Sequence, residues 1–377
     1  MTVRLAAAVA VAALLVAGLA ATVVVRAGSG QGPTPAEDRR AQAAAQRFLA
    51  AYVEPSGRVV RRDQDESTVS EGQAYGLLLA VVTADRRRFD AILSWTQDHL
   101  QRPDGLQSWL YSDGRVRDPQ PATDADVDTA RALLLAARRF EDPGYLREAQ
   151  RIARSIIAQE STVLDGRRLL VAGPWARAQR IINPSYLAPR TFTLLAQVGG
   201  PDGPSLQALA DDGGDLVADV GQVAPFLIPD WATTDPAGRV RPTGPPLDPL
   251  GAPRFGLDAQ RLVIRFAESC RLSDVILVAN MWPFLRDVST VGDPVLAYGL
   301  DGQPLSRETN PLTLVAAAAA AGAAGDPVRR EQLLHRAEAM DAANPMYYGS
   351  AWVALGRAFL TTDLLGSACD NAVPGGS

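Results

Sequence analysis

Three short acidic motifs contain the side chains best suited to chemistry. They are residues 70–73 (SEGQ), 122–128 (ATDADVD) and 255–261 (FGLDAQR). A single acid near a helix start has an ordinary structural explanation, because Asp and Ser cap helices and favour the helix dipole. Three such motifs together suit hydrolysis of a glycosidic bond. That reaction needs one protonated carboxylic acid for the leaving oxygen and one carboxylate that activates water or attacks the sugar.

Other kinds of catalytic centre lack the necessary residues. His99 ends a predicted helix and His335 lies within another, both beside charged residues, which is typical of surface positions, so neither a histidine metal site nor a Ser-His-Asp triad is indicated. Cys270 and Cys369 lack metal-site spacing, and they either pair in an oxidising compartment or remain thiols. We expect no metal and no organic cofactor. The net charge of −5 and the scattered arginines argue against nucleic-acid binding.

The elements that must position these motifs are helices. Apolar periodicity predicts twelve, at about 37–53, 70–83, 86–99, 124–140, 143–158, 185–199, 203–220, 256–267, 274–287, 308–322, 327–341 and 346–365. Asp326-Pro327 and Asn344-Pro345 are typical of a cap and a first-turn proline before the last two. The Ala-rich run at 315–324 predicts a tightly packed inner helix.

Strand patterns are few and short. They lie at 106–111 and 168–171, and residues 262–266 also fit a strand. The Pro- and Gly-rich stretch at 233–253 is long for a connection and is typical of a functional loop. Twelve helices in one domain, at 37–370, predict an all-α fold with a closed (α/α)6 barrel. An elongated α-solenoid is the alternative.

The N-terminal residues have a different character. Residues 5–25 form an unbroken apolar run between Arg4 and Arg26, which is long enough to span a bilayer as a helix. We expect residues 1–26 to be an uncleaved membrane anchor with its N-terminus inside, or alternatively a cleaved signal, and residues 27–36 to be a linker. Either way, the rest of the chain is expected to be extracytoplasmic.

The acidic motifs and their surroundings resemble glycoside hydrolase family 8. Residues 70–76 (SEGQAYG) are similar to the acid-bearing motif of that family. Residues 122–140 follow its signature helix, with Thr129 where Ile or Met is usual. Further landmarks follow in the family's order, at 183–189 (NPSYLAP), 229–231 (PDW) and 346–348 (MYY). The resemblance covers about residues 37–365.

The resemblance implies an (α/α)6 barrel with an open cleft across one end. It also implies inverting hydrolysis of β-1,4-linked glycans, most often cellulose or related β-glucans. Glu71 is then the general acid and Asp258 the general base, while Asp124 holds and distorts the sugar with Asp126 close by. Because inverting carboxyl pairs lie roughly 6.5–9.5 Å apart, Glu71 and Asp258 should face each other across the cleft. Arg261, one turn after Asp258, is the expected partner of the base.

The faces of pyranose rings carry C–H groups that stack on aromatic rings, so aromatic residues in loops are candidate sugar platforms. We expect these residues to bind substrate: Trp109, Tyr186, Trp231 and Tyr348, together with Asp126 and Arg261. Gly72 leaves room for a sugar or a neighbouring helix beside Glu71. Leu257 precedes the base where the family usually has Tyr, which removes a hydroxyl group from that side of the site.

Three functions remain open. The first is a membrane-anchored endo-β-1,4-glucanase, which acts as a monomer on a β-linked polysaccharide. The second keeps the fold but acts on chitosan or xylan, and a chitosan cleft would use extra acids such as Asp126, Asp128 and Asp230. The third is a glycan-binding or scaffolding component of an envelope polysaccharide-synthesis complex, with decayed catalysis.

Overall fold

The structure, a computed structural model, describes residues 32–221, 226–235, 238–246 and 251–367. The expected anchor at 1–26, much of the linker and Cys369 lie outside these residues. The described part contains twelve α-helices: α1 Pro35–Tyr52, α2 Ser70–Val82, α3 Arg86–His99, α4 Thr123–Arg139, α5 Pro143–Gln159, α6 Pro189–Ala196, α7 Gly203–Val220, α8 Leu257–Ala267, α9 Leu272–Val291, α10 Pro311–Ala323, α11 Pro327–Ala343 and α12 Tyr347–Thr361.

The even-numbered helices form a closed inner ring. Neighbours contact each other in the order α2, α4, α6, α8, α10 and α12, and α12 returns to contact α2. Nearly every residue of α2 and α10 is buried, as the inner layer of a barrel requires. The odd-numbered helices pack outside this ring and bury one face each. The all-α (α/α)6 barrel is therefore confirmed, and the closing contact between α12 and α2 excludes an open solenoid.

Small residues let the inner helices approach closely. In α10, residues 316–321 are all Ala and all buried. Across from α10, a β-carbon placed on Gly356 of α12 would lie only 2.2 Å from the side chain of Val315. A larger residue at Gly356 therefore has no space. The prediction of a tightly packed inner helix from the Ala-rich run is confirmed.

Short strands lie in the loops between the helices. They are β1 Thr68–Val69, β2 Leu110–Ser112, β3 Arg115–Asp118, β4 Ser161–Leu164, β5 Arg167–Leu170, β6 Ile181–Ile182, β7 Trp231–Thr234, β8 Val240–Thr243, β9 Arg254–Phe255 and β10 Tyr298–Gly299. All pair antiparallel, in the orders β1-β2-β3, β4-β5, β6-β7-β8 and β9-β10. The predicted strand at 168–171 corresponds to β5, and the long loop at 233–253 contributes to β7 and β8.

Three local predictions were wrong. Residues 262–266 belong to helix α8, whose apolar positions face the barrel. Helix α6 begins only at Pro189, because the chain from Pro184 to Tyr186 forms a 3-10 turn first. Asn344-Pro345 does not cap the last helix; the backbone N–H of Tyr347 donates instead to Asp63 Oδ2, 3.1 Å away.

Local caps do begin most of the outer helices. Thr34, Asp85, Asp142 and Asp326 each accept a backbone N–H in the first turn of α1, α3, α5 and α11. By contrast, α2, α4, α8 and α12 begin without a side-chain cap from their own N-cap residue. Among the described residues, no helix is long and apolar enough to cross a membrane.

Candidate active site

The three expected catalytic acids begin three inner helices. Glu71, Asp124 and Asp258 lie in the first turns of α2, α4 and α8. Their helix starts point toward one end of the barrel, where a cleft of about 760 Å³ opens. Glu71 and Asp258 both line this cleft, while Asp124 lies just beneath it and is 4% exposed. The fold therefore brings together Glu71 and Asp258, which are 187 positions apart in the sequence.

Glu71 is partly buried, and the groups around it have opposing effects on its pKa. Its Oε1 accepts a hydrogen bond from Trp109 Nε1 at 3.1 Å, and its Oε2 accepts one from Ser70 Oγ at 3.3 Å. Burial and the negative charge of Asp124 together raise the pKa of Glu71 to about 7, against the lowering effects of Arg261 and Trp109. A substantial fraction of Glu71 therefore carries a proton near neutral pH.

Asp258 has a more polar and more open environment. Its side chain is 31% exposed. Arg261 Nη2 donates to its Oδ1 at 2.8 Å, and Asn183 Nδ2 donates to its Oδ2 at 3.0 Å. Both carboxylate oxygens of Asp258 therefore accept a hydrogen bond from a neighbouring side chain. The expected pairing of Arg261 with Asp258 is present.

Arg261 also links Asp258 to Asp124. Its Nη1 donates to Asp124 Oδ2 at 2.5 Å and to the Tyr75 hydroxyl at 3.2 Å, while Nη2 donates to Ser185 Oγ at 3.0 Å. Arg261 is 4% exposed, so these charge-assisted bonds are screened little by water. The guanidinium therefore fixes the relative positions of Asp124 and Asp258.

Asp230 is a site residue that the sequence reasoning named only as a candidate for binding chitosan. Its Oδ1 accepts the backbone N–H groups of Gly256 (2.9 Å) and Ala259 (2.8 Å), so it caps the start of α8 from a distant loop. A β-carbon on Gly256 would lie 2.3 Å from Asp230 Oδ2. Burial raises the pKa of Asp230 to about 7, helped by the nearby charge of Asp258. Asp230 therefore positions the helix turn that carries the base.

Gly72 makes room for a neighbouring helix. A β-carbon on Gly72 would lie 2.3 Å from the hydroxyl oxygen of Tyr347, the first residue of α12. Tyr347 is 2% exposed and also lines the cleft. The glycine beside the acid thus allows the α12 tyrosine to pack directly against the first turn of α2. Gly76, one turn later, packs against Val59 and Ile92.

Aromatic side chains surround the cleft. Trp109, Tyr186, Trp231 and Tyr348, expected from the sequence to bind sugar, all line it, and Trp175 and Tyr347 join them. The rings of Tyr186 and Trp231 meet edge to face, with centroids 6.1 Å apart. Trp175 is 37% exposed, and its indole N–H donates to the Pro121 carbonyl oxygen at 3.2 Å. An exposed indole fixed in this way has the properties of a stacking surface.

Residues 36–244 match the sequence profile of glycosyl hydrolases family 8. The chain belongs to this family. It is similar to an endoglucanase of Xanthomonas axonopodis pv. citri (strain 306), with 34% identity over 201 residues that make up 50% of this chain and 51% of that protein. The match thus spans about half the length of this curated relative.

Solved structures of the family share the fold over most of the chain. The endo-beta-1,4-glucanase CMCax from Acetobacter xylinum has a TM-score of 0.71 at 26% identity, covering 84% of this chain and 97% of that one. A GH8 xylanase from Teredinibacter turnerae has a TM-score of 0.70 at 20% identity, covering 86% and 93%. The second likeness concerns the fold alone. Both structural matches extend well beyond residue 244, where the profile match ends, and include the region of Asp258.

Two acids of this family 8 chain do not reach the cleft. Asp126 is fully buried, and its Oδ1 accepts the backbone N–H of Gln107 at 3.0 Å. Asp128 is 1% exposed and forms an ion pair with Arg265 at 2.5 Å. The substrate contact expected for Asp126 does not fit this position. Successive helix residues turn by about 100°, so Asp124 and Asp126 point to nearly opposite sides of α4.

The position before the base is also distinct in this family 8 chain. Leu257 lines the cleft beside Asp258, where a tyrosine is usual, and it presents an apolar side chain there. Tyr186 and Tyr348 line the same cleft and bring hydroxyl groups to it. Among the described residues, no group of three or more His, Cys, Asp or Glu side chains is arranged to hold a metal ion.

Proposed function

We propose that this protein is an endo-acting glycoside hydrolase that cleaves β-1,4 bonds of cellulose or a related β-glucan with inversion. Glu71 acts as the general acid and Asp258 as the general base. The observation that carries the proposal is that both carboxyl groups line one cleft in opposite surroundings. Burial favours a proton on Glu71, whereas two donors meet the oxygens of Asp258.

The proposed reaction is a single displacement. Glu71 gives its proton to the glycosidic oxygen as the bond to the anomeric carbon breaks. Asp258 takes a proton from a water molecule that attacks the same carbon from the opposite face of the ring. Asp124, held by Arg261, lies under the cleft between these groups and holds the distorted sugar. Each turnover leaves Glu71 ionised and Asp258 protonated, and exchange with solvent restores both.

The charges around the cleft support a neutral glycan over chitosan. Of the three acids that a chitosan cleft would use, Asp126 and Asp128 are buried away from the cleft and only Asp230 lines it. Asp230 is already paired with Arg254 at 3.3 Å, and Arg61, which also lines the cleft, repels the amino groups of chitosan. A glucan or a xylan meets no such repulsion, so we propose cellulose or a related β-glucan as the first substrate and xylan as the second.

The test compares carboxylate-to-amide variants on a soluble cellulose derivative. We expect Glu71→Gln and Asp258→Asn each to lower kcat by about 10²–10⁴-fold, the usual contribution of acid–base catalysis. Asp287→Asn is the matched control, because its carboxylate pairs with Arg286 on the exposed face of α9 and is 68% exposed. Melting temperatures of all variants should stay close to that of the unchanged protein. Full activity in both site variants would refute the assignment.

The first product and the substrate range decide between the remaining functions. NMR of fresh reaction mixtures should show the α-anomer appearing first from a β-linked glucan, since inversion converts one into the other. Parallel assays on xylan and chitosan assign the substrate class. Binding of cello-oligosaccharides without cleavage over long incubation would favour a scaffolding role instead.

We further propose that the catalytic domain works outside the cytoplasm, attached by the apolar segment at 5–25. This proposal rests on the sequence alone, since the segment lies outside the described residues. Cell fractionation tests it. The full chain should stay with membranes after alkaline washing, whereas a chain that begins at residue 27 should be released.

A further inference from the structure

Two carboxyl groups are buried together behind the cleft, outside the proposed reaction. Asp126 lies in the first turn of α4, and Glu160 directly follows α5. Both side chains have no exposed surface, and the two carboxyl groups are in hydrogen-bonding contact. Asp126 Oδ2 and both carboxyl oxygens of Glu160 find no donor among the surrounding groups. Two acceptors therefore face each other in the interior.

Among the described residues, neither carboxyl group forms an ion pair. The carboxylates of Asp124 and Asp104 both raise the pKa of Glu160. Arg168, on the neighbouring strand β5, donates to Ser161 Oγ. The hydroxyl of Thr123, which lies beside Glu160, donates its one proton to the Val171 carbonyl oxygen at 2.8 Å. Two ionised carboxylates at this place would be both buried and mutually repelling.

One proton between the two groups removes this conflict. A protonated carboxyl donates to an ionised one and provides the missing hydrogen-bond donor. Burial raises the pKa of Glu160 to about 8 and that of Asp126 well above its ordinary value, with each group acting on the other. With one proton held between them, the two groups carry a single negative charge. Such a pair titrates as a unit.

The pair is connected to the proposed acid through one short chain segment. Asp126 Oδ1 holds the backbone N–H of Gln107, and the Gln107 side chain donates to Thr129 Oγ1 at 2.8 Å on the same helix. Two residues later, Trp109 donates its indole N–H to Glu71. The Trp109 carbonyl oxygen accepts the backbone N–H of Ser70 at 2.9 Å. Residues 107–109 therefore link α4 to the first turn of α2.

We propose that Asp126 and Glu160 share one proton and act as a positioning pair, which holds residues 107–109 so that Trp109 stays hydrogen-bonded to Glu71. Neither carboxyl group touches the substrate. Only the predicted effect on rate rests on the assignment of Glu71 as the general acid. The sharing of the proton is independent of that assignment and can be measured separately.

Three variants test the pair. In Glu160→Gln, the amide donates permanently to Asp126 with no proton to lose, so kcat near pH 6 should stay within about threefold of the unchanged protein. In Glu160→Leu the partner carboxyl group is gone, and Asp126 Oδ2 is left buried with no hydrogen-bond partner. We expect kcat to fall at least about tenfold there with KM nearly unchanged. Asp126→Asn, which can still accept from Gln107, should resemble Glu160→Gln.

The pH dependence of stability provides a readout that does not use activity. Because the folded pKa of Glu160 lies above the unfolded one, folding binds a proton between about pH 4.5 and about pH 8, and stability falls as pH rises through that window. Glu160→Gln cannot bind this proton, so its melting temperature should decline less over the same range. Glu71 and Asp230 titrate in both proteins, and their contributions cancel in the comparison.

Each outcome decides the proposal. Equal declines of melting temperature in Glu160→Gln and the unchanged protein would overturn the shared proton. Unchanged kcat in Glu160→Leu would overturn the positioning role, as would a loss in Glu160→Gln as large as that in Glu160→Leu. If Glu71→Gln proved fully active, the acid assignment would fail, while the melting comparison would still test the shared proton.

Discussion

Replacement of Trp109 by Phe removes the indole N–H that donates to Glu71 but keeps an aromatic ring beside the acid. In the structure this bond is 3.1 Å long and stabilises the ionised form of Glu71. Its loss should therefore raise the pKa of Glu71 above its present value of about 7. Since the acid must be protonated to act, activity should persist to higher pH in the variant.

The size of the shift follows from the energy of one hydrogen bond. A bond to a charged group contributes roughly 1.5–3 kcal/mol. Protonated Glu71 can still accept through one oxygen, so we assign about 1 kcal/mol to the difference between the two protonation states. At about 1.36 kcal/mol per pKa unit, this corresponds to an upward shift of about 0.7 units.

The assay is the pH profile of kcat/KM on a soluble cellulose derivative, which reports the ionisations of the free enzyme. Trp175→Phe is the matched control, because this indole lines the same cleft but donates to the Pro121 carbonyl oxygen. It should change KM without moving the alkaline limb. An unmoved limb in Trp109→Phe, a limb moved to lower pH, or an equal shift in Trp175→Phe would refute the reasoning.

Two further predictions concern packing around the site. Gly256→Ala places a β-carbon 2.3 Å from Asp230 Oδ2, so the cap of α8 must move; we expect a loss of about 1–3 kcal/mol in unfolding free energy and a fall in kcat larger than any change in KM. Arg131→Met leaves Glu268 charged and buried without its 2.7 Å partner, and chemical denaturation should show a loss of about 3–5 kcal/mol. The kcat of folded Arg131→Met should be unchanged, because Arg131 does not line the cleft.

Controls for both are available in the same chain. Gly292→Ala adds a β-carbon that meets nothing within 4 Å, so its stability and kinetics should match the unchanged protein. Arg286→Met breaks an exposed pair with Asp287 and should cost at most about 1 kcal/mol. Wild-type behaviour of Gly256→Ala would mean that Asp230 does not position α8. A cost for Arg131→Met no larger than that for Arg286→Met would contradict the buried-pair argument.

The spacing of acids along α4 shows what the local sequence can predict and what it cannot. Asp124, Asp126 and Asp128 follow each other at every second position of the helix, so helical geometry alone requires Asp126 to point away from the other two. Geometry within the helix does not say which direction is the cleft. The partners of the three carboxylates decide that. Arg261 from α8 pairs with Asp124, Arg265 pairs with Asp128, and Asp126 lies in the buried pocket beside Glu160.

The protonation of Glu71 is a second example. A carboxylate in the first turn of a helix is stabilised by the helix dipole, while burial has the opposite effect. The effect of the helix dipole can be predicted from the sequence, because Glu71 follows directly on the start of α2. The effect of burial depends on how closely the rest of the chain surrounds the side chain. In the folded protein burial is the larger effect, and the pKa rises.

The starts of the helices divide what the sequence determined from what the tertiary structure decided. Caps such as Asp85 and Asp326 act over three residues, so the sequence by itself specified where those outer helices begin. At the cleft, α8 is capped by Asp230 and α12 by Asp63, both far away in the chain. The sequence thus determined the helices and the acids, and only tertiary contacts decided how those acids are aimed and charged, because burial and long-range hydrogen bonds exist only once the barrel closes.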